Sequence, residues 1–200
     1  MNDLELYDLE AYLFGSVNPR FHRDGSIGAF DLMCIVSWKA NRAKSRVAAR
    51  LLGLGHPTLE DAARALTSAV SAAPNSEARL RTVVRDWGFR LPTATAILAV
   101  LYPDEFTVCD VRVAGVVGAR VPEPAADFSK TWAGYLAFRD AVERAAPAHL
   151  SLRDKDRFLW ARSFREQMEK DITAWNAAGP GDPADELELY VGGFPGASYR

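Results

Sequence analysis

Residues 77–102, with the sequence EARLRTVVRDWGFRLPTATAILAVLY, decide the expected fold. Apolar residues recur at helical spacing on both sides of a four-residue break, Trp87-Gly88-Phe89-Arg90, and Pro92 stands where a first helical turn accepts proline. The pattern predicts two helices joined by a tight turn. Such a turn points backbone N–H groups and the N-terminus of the second helix outward, where they can hold a phosphate. The alternative is an ordinary turn between two helices with solvated arginines.

Helical spacing continues on both sides of this stretch and predicts an all-α, compact, multi-helix domain over residues 1–178. The expected helices cover residues 4–13, 30–39, 47–52, 58–72, 75–86, 92–102, 110–119, 128–145 and 151–177. Thr58 and Asn75 are the expected N-caps of two of these helices, and Gly53-Leu54-Gly55 is expected to end the helix over residues 47–52. Residues 15–25, which contain glycine, proline and polar side chains, predict a loop. Residues 106–109 are too few for a confident strand pattern and predict an extended connection.

The composition supports one folded domain followed by a tail. Apolar residues make up 48% of the 200 residues and charged residues 25%, which is typical of a chain with a core. From residue 179 the composition shifts to glycine, proline and acid, and residues 179–200 therefore predict a flexible tail. Cys34 and Cys109 lie in apolar runs, which favours buried thiols over a disulfide.

No metal or cofactor is expected from the sequence. Two cysteines are too few for an iron–sulfur cluster with four thiolates, and no two of the three histidines have metal-ligand spacing. The acidic N-terminus lacks the apolar run of a signal peptide, and no apolar stretch reaches the roughly 20 residues that span a bilayer. We therefore expect no membrane partner and a cytoplasmic location, associated with the nucleoid if the chain binds DNA.

Positive charge is concentrated in one part of the chain, which we call the basic segment (residues 39–50). The formal net charge of −2 argues against a uniformly basic nucleic-acid binder but leaves room for a local patch. The basic segment contains five cations and no acid: Lys39, Arg42, Lys44, Arg46 and Arg50. Such a run suits a phosphate backbone, and the alternative is a solvated helix face.

The segment after the turn has the pattern of a known superfamily. Leu91-Pro92-Thr93-Ala94 opens an apolar helix, and Phe106-Thr-Val-Cys109 leads into Asp110-Val-Arg112. This resembles the helix-hairpin-helix DNA glycosylases, which include endonuclease III and the 8-oxoguanine glycosylases and whose pattern runs Leu-Pro-Gly-Val-Gly-x-Lys-Thr-Ala, an apolar helix and Val-Asp-x-His. With Thr93-Ala94 on the family's Thr-Ala, Asp110 falls on its aspartate 17 residues later, and Gly88 falls on its first glycine. The resemblance covers about thirty residues in the middle of the chain.

Three positions depart from the family pattern. Arg90 replaces the second glycine of the hairpin, and its side chain limits how closely a phosphate approaches the backbone. Pro92 falls on the catalytic lysine and has no amine, so this position cannot form a Schiff base. Arg112 replaces the histidine. The resemblance therefore implies a monofunctional glycosylase, a lysine supplied from elsewhere in the chain, or a non-catalytic relative.

Asp110 and Lys39 are the candidate catalytic residues. Cleavage of an N-glycosidic bond builds positive charge on the deoxyribose, which a carboxylate beside C1′ stabilises. The resemblance implies this role for Asp110, and the alternative, compatible with it, is a helix N-cap. Lys39 follows Trp38 at the end of an apolar helix, and a partly desolvated lysine can act as a nucleophile or base. A shared catalytic role requires the two side chains to lie within about 10 Å of each other.

The resemblance also implies DNA as the partner. The residues expected at phosphates or at the reacting site are Gly88, Phe89, Arg90, Thr93, Arg42, Lys44, Arg46 and Arg112. Trp38 and Trp87 are candidates for stacking on a flipped base, and the alternative places them in the core. Phe89 lies at the turn, so we expect it to be exposed and able to wedge into DNA. Residues 151–160 predict a capped helix start that faces the core with Phe158, Leu159 and Trp160.

The sequence therefore predicts a glycosylase-like DNA-binding protein that acts on a damaged or modified base, of the 8-oxoguanine type. Two alternatives stay open. One is a non-catalytic DNA-binding module that keeps the hairpin, and the other is a helical interaction protein without affinity for DNA.

Overall fold

The computed structural model describes residues 3–122 and 125–178, and within these ranges the chain is all-helical with no strand. The α-helices, in chain order, are α1 (Asp3–Tyr7), α2 (Leu9–Tyr12), α3 (Asn18–Asp24), α4 (Ala29–Ala40), α5 (Lys44–Leu52), α6 (Leu59–Ala72), α7 (Ser76–Arg81), α8 (Leu91–Leu101), α9 (Val111–Val116), α10 (Phe128–Ala145) and α11 (Leu152–Ala178). Two π-helical turns, Leu13–Val17 and Thr82–Asp86, and one 3-10 turn, Asn41–Ala43, connect some of them. The all-α prediction is confirmed.

Helix α8 lies at the centre of the molecule. Its residues from Ala94 to Leu101 are all buried, as expected of a helix that is apolar on every side. Helices α3, α4 and α7 pack against it. Pro92 stands in its first turn, as predicted, where no intrahelical partner is required for the backbone nitrogen.

Helix ends follow the predicted capping residues. The side chains of Thr58, Asn75 and Asp110 each accept a hydrogen bond from a backbone N–H two or three residues later. These contacts satisfy amide groups that the first helical turn leaves unpaired. Gly53 ends α5, also as predicted. Local polar residues therefore set several of the helix boundaries.

The predicted loop over residues 15–25 is wrong. The chain is helical there, through the π turn Leu13–Val17 and α3, and it ends at Gly25 with a φ of +73°. Leu13, Val17 and Phe21 are spaced four apart and are buried on one face. This apolar spacing outweighs the glycine and proline between them, and Pro19 falls where the π turn passes into α3.

Residues 106–109 form a buried extended connection, as predicted. Phe106 to Cys109 are between 0 and 4% exposed, and no neighbouring strand pairs with their backbone within the described ranges. Side-chain hydroxyls accept hydrogen bonds from this backbone instead. The Thr107 N–H donates to the Tyr135 hydroxyl at 3.0 Å, and the Cys109 N–H donates to Thr95 Oγ1 at 3.0 Å. These bonds satisfy buried amides and fix the segment that leads to Asp110.

Three further predictions concern the cysteines, membrane-spanning helices and the C-terminal tail. Cys34 and Cys109 are both free thiols, as expected; Cys109 is buried and Cys34 is half-buried. Among the described residues, no helix is both long and apolar enough to cross a membrane. The predicted tail, residues 179–200, lies outside the described residues.

We expect Thr95→Val to lower the free energy of unfolding by about 1–3 kcal/mol, because it leaves the buried Cys109 N–H without its acceptor. Chemical denaturation followed by far-UV circular dichroism measures this change. Thr173→Val is the matched control, since Thr173 bonds only its own helix on an exposed face, and its effect should stay within about 0.5 kcal/mol. Equal effects of the two substitutions would contradict the role given to Thr95.

Candidate functional site

Lys39 and Asp110 form a direct ion pair although they are 71 residues apart in the chain. Lys39 lies in the last turn of α4, and Asp110 is the N-cap residue of α9. Lys39 Nζ donates a hydrogen bond to Asp110 Oδ2. The two side chains are 17 and 18% exposed, so the pair is mostly shielded from solvent but still reachable. The requirement that they lie within about 10 Å of each other is met.

Both oxygens of the Asp110 carboxylate have a partner. Oδ1 accepts a hydrogen bond from the Arg112 backbone N–H at 2.8 Å, while Oδ2 faces Lys39. Asp110 is therefore an N-cap and a partner of the lysine at the same time. A carboxylate held by a backbone group on one side and by a cation on the other has a fixed orientation, which a reacting group requires.

The pair lies in the wall of an open cavity of about 740 Å³. This volume is in the range of small-molecule sites in proteins. The residues that line the cavity are Glu10, Trp38, Lys39, Val108, Asp110, Leu150, Arg153, Asp154, Asp156, Arg157, Phe158, Trp160 and Ala161. They come from α2, α4 and α11 and from the connections before α9 and α11, so the site exists only after the chain has folded.

Aromatic side chains contribute to the cavity from two helices. Trp38 of α4 is half-buried and packs edge-on against Phe14, with ring centroids 5.9 Å apart. Phe158 and Trp160 of α11 are 42 and 45% exposed. The prediction that Phe158, Leu159 and Trp160 all face the core is therefore wrong for two of the three, and only Leu159 is buried. An open aromatic surface is what a stacked ring would need.

Arg153 of α11 connects three parts of the cavity wall. Its guanidinium carbon lies 5.0 Å from the Phe14 ring centroid and 4.9 Å from that of Trp38. The same group pairs with Glu10 at 2.8 Å and with Asp156 at 2.5 Å. Such a cation between two rings and two carboxylates is held in one geometry. It fixes Trp38 and Asp156 relative to each other.

Asp156 is a cavity residue that the sequence analysis missed. It is only 5% exposed, and burial is the main cause that raises the pKa of its carboxyl to about 6. The charge of Asp110 acts in the same direction, while Arg153, Thr107 and Lys39 oppose it. The position of Asp156, three residues before the buried Leu159, indicates the inner face of α11. That spacing could have identified it as a buried acid.

Cys109, next to Asp110, is not a second nucleophile. Burial is the main cause that raises the pKa of its thiol to about 12, which keeps the sulfur protonated and unreactive. Among the residues that the structure describes, no group of three or more histidines, cysteines and carboxylates is placed to hold a metal ion.

The turn between Asp86 and Leu91 is packed more tightly than expected. Phe89 is 4% exposed, so the prediction of an exposed residue that wedges into DNA is wrong. The turn directs this ring into the core, while the Phe89 N–H donates to the Val83 carbonyl at 3.1 Å. Gly88 has a φ of +65°, and Arg50 Nη1 lies 2.5 Å from the position that a Cβ would take there. A side chain at residue 88 would therefore displace Arg50.

Trp87 does not belong to the cavity. It is 9% exposed, it stacks on His56 with ring centroids 5.3 Å apart, and it is absent from the cavity lining. Of the two predicted stacking residues, the structure therefore places Trp38 beside Lys39 and Asp110 and places Trp87 elsewhere. Trp87 packs as a core residue, which was the alternative expected from the sequence.

The residues predicted to contact phosphates differ in how exposed their side chains are. Arg42, Lys44 and Arg46 are exposed on the 3-10 turn and α5, directly after Lys39. Arg90 is exposed, whereas Thr93 and Arg112 are half-buried, and the Arg112 guanidinium carbon lies 5.9 Å from the Trp160 ring centroid. Because Arg50 packs against Gly88, the basic segment and the turn are neighbours in space.

We expect a strong energetic coupling between Lys39 and Asp110. In a double-mutant cycle of Lys39→Met and Asp110→Asn, the coupling in unfolding free energy should be about 1–3 kcal/mol, because each single change leaves a shielded charge without its partner. The exposed pair Arg162 and Glu166 is the control, with an expected coupling of about 0.5 kcal/mol or less. A Lys39–Asp110 coupling no larger than the control would contradict a shielded, fixed pair.

Comparison with known proteins assigns no family to the chain. No protein-family model, curated protein or solved structure matches it. The features of the chain that bear on its function are therefore Lys39, Asp110 and the cavity in whose wall they meet.

Proposed function

We propose that this chain binds DNA and cleaves the N-glycosidic bond of a damaged or modified base, of the 8-oxoguanine type. The observation that carries the proposal is the contact between Lys39 and Asp110 in the wall of an open cavity. The sequence resemblance to helix-hairpin-helix glycosylases supports it independently, because it selects the same aspartate. Pro92 removes the usual lysine, and Lys39 supplies an amine at the carboxylate from another helix.

The proposed reaction uses Asp110 as the charge-stabilising group. As the bond between C1′ and the base breaks, positive charge develops on the deoxyribose, and a carboxylate held beside it lowers the energy of that state. The restricted solvent access at Asp110 strengthens this effect, since charges interact more strongly in a medium of lower polarity.

Lys39 has two chemically distinct roles open to it. After it loses a proton, its amine can attack C1′ directly, or it can accept a proton from an attacking water. The first route passes through a covalent imine that borohydride reduces to a stable protein–DNA adduct, whereas the second releases a free abasic site. Borohydride trapping with wild-type protein and with Lys39→Gln therefore separates the two routes.

The binding part of the proposal rests on the basic segment and on the turn beside it. Lys44 and Arg46 are exposed and continue from the cavity edge at Lys39, and Arg50 connects this segment to Gly88. Cations in this arrangement can contact consecutive phosphates, while a flipped base enters the cavity and stacks on Trp38. The helix-hairpin-helix geometry proposed for residues 77–102 would add backbone N–H groups at the turn.

One observation favours a second candidate, a DNA-binding module without catalysis. Both oxygens of Asp110 already have partners, and such a pair also serves purely to join α4 to α9. A helical protein without affinity for DNA is the third candidate. The next two experiments distinguish all three.

Asp110→Asn should abolish base release and leave DNA affinity within about three-fold of the wild type, because the amide still caps α9 but carries no charge. Single-turnover assays on duplexes with one uracil, one 8-oxoguanine or one alkylated base measure release, and fluorescence anisotropy measures affinity. Asp140→Asn, outside the cavity lining, is the control and should match the wild type. Failure of the wild type to release any of these bases would overturn the catalytic proposal in favour of the module.

Duplex binding should weaken steeply with salt, because each phosphate contact releases condensed counterions. Arg46→Gln should reduce the slope of log affinity against log salt by about one, as expected for the loss of one phosphate contact. Arg165→Gln, on α11 and outside the basic segment, is the charge-matched control and should leave the slope unchanged. A wild-type affinity that does not depend on salt would exclude both DNA-binding candidates.

A further inference from the structure

A second carboxyl group, that of Asp156, lies in the same cavity as the Lys39–Asp110 pair. Asp156 is on the inner face of α11, and its carboxyl is the most deeply buried acid of the cavity wall. Asp110 and Lys39 face it from the start of α9 and the end of α4, close enough to act on its charge. The reaction proposed for Lys39 and Asp110 does not use the Asp156 carboxyl.

The surroundings of Asp156 hold it in place and act on its ionisation in both directions. Arg153, one turn earlier on α11, donates to Oδ2, and Thr107 approaches from the buried connection. Burial and the charge of Asp110 act against ionisation, while Arg153, Thr107 and Lys39 favour it. The resulting pKa of about 6 allows the carboxyl to lose and regain a proton near neutral pH, as a general acid must.

We propose that Asp156 is the general acid that protonates the departing base, which makes neutral bases the substrate class of this cavity. The inference rests on the proposed function. A neutral base leaves as an anion unless it receives a proton, whereas a base that already carries a positive charge leaves as a neutral molecule. A buried acid inside the cavity therefore matters only for the first class.

The step balances with the groups present. The bond between C1′ and the base nitrogen breaks, and its electron pair stays with the base. The Asp156 proton moves to the base, so the base departs neutral and Asp156 becomes a carboxylate. C1′ forms a new bond either to the Lys39 amine, which then gives up one proton to solvent, or to a water, whose proton passes to the Lys39 amine. Solvent then protonates Asp156 again. No oxidant, reductant or metal is needed.

The test compares two leaving bases in one duplex sequence. One duplex carries 8-oxoguanine, which is neutral, and the other carries 7-methylguanine, which is cationic. Asp156→Asn should slow single-turnover release of 8-oxoguanine by about 10²–10⁴-fold, and release of 7-methylguanine by less than about three-fold, since only the first needs a proton. Asp156→Glu, which keeps an acid, should recover part of the 8-oxoguanine rate.

The pH dependence gives a second readout that a purely structural role would not move. Asp156 is a donor only while protonated, so wild-type release of 8-oxoguanine should fall as the pH rises above about 6. Release of 7-methylguanine should show no such fall. Asp156→Asn should remove this difference between the two profiles.

Controls separate folding from chemistry. Asp171→Asn makes the same change on α11 outside the cavity lining and should match the wild type on both duplexes. Asp156→Asn leaves Arg153 paired with Glu10, and circular dichroism should show an intact fold. Equal slowing of both bases, or of neither, overturns the inference while the proposed function stands. A wild type that releases neither of these bases, and no uracil either, overturns the proposed function and this inference with it.

Discussion

The buried connection at residues 106–109 is the constraint on which the rest of the site depends. Its backbone lies in the core without strand partners among the described residues, so its amides require acceptors from side chains. The hydroxyls of Thr95 and Tyr135 supply them from α8 and α10. This arrangement fixes the direction in which the chain leaves the core, and it brings Asp110 to the end of α4, where Lys39 meets it.

The charges around the cavity form two neighbouring groups. Lys39 meets Asp110, and Arg153 meets Asp156 and Glu10 while it lies against the Trp38 ring. Removing ions from water costs free energy, which a single pair often fails to recover. Polar groups retained at such a cost inside an open cavity are typical of sites that bind or react, and this supports the proposed chemistry at Asp110.

Local patterns predicted the parts of the fold that local chemistry controls. The capping residues and the glycine that ends α5 gave the correct boundaries, because each acts on a turn of its own helix. The helical segment over residues 15–25 was not predicted because its two buried residues, Val17 and Phe21, are separated from each other and from Leu13 by glycine, proline and polar side chains. Phe89 was expected at the surface because a turn alone does not show which side the core covers.

The sequence by itself determined that this chain is helical and that Asp110 begins a helix after an extended apolar segment, since spacing and capping are properties of neighbouring residues. It also singled out Lys39, at the end of an apolar helix. Only the tertiary structure decided that these two side chains touch, that Trp38 lines the cavity while Trp87 does not, and that Asp156 is buried beside them. The physical reason is that burial and charge pairing depend on which helices pack together, and residues up to 143 positions apart, such as Glu10 and Arg153, meet only in the folded core.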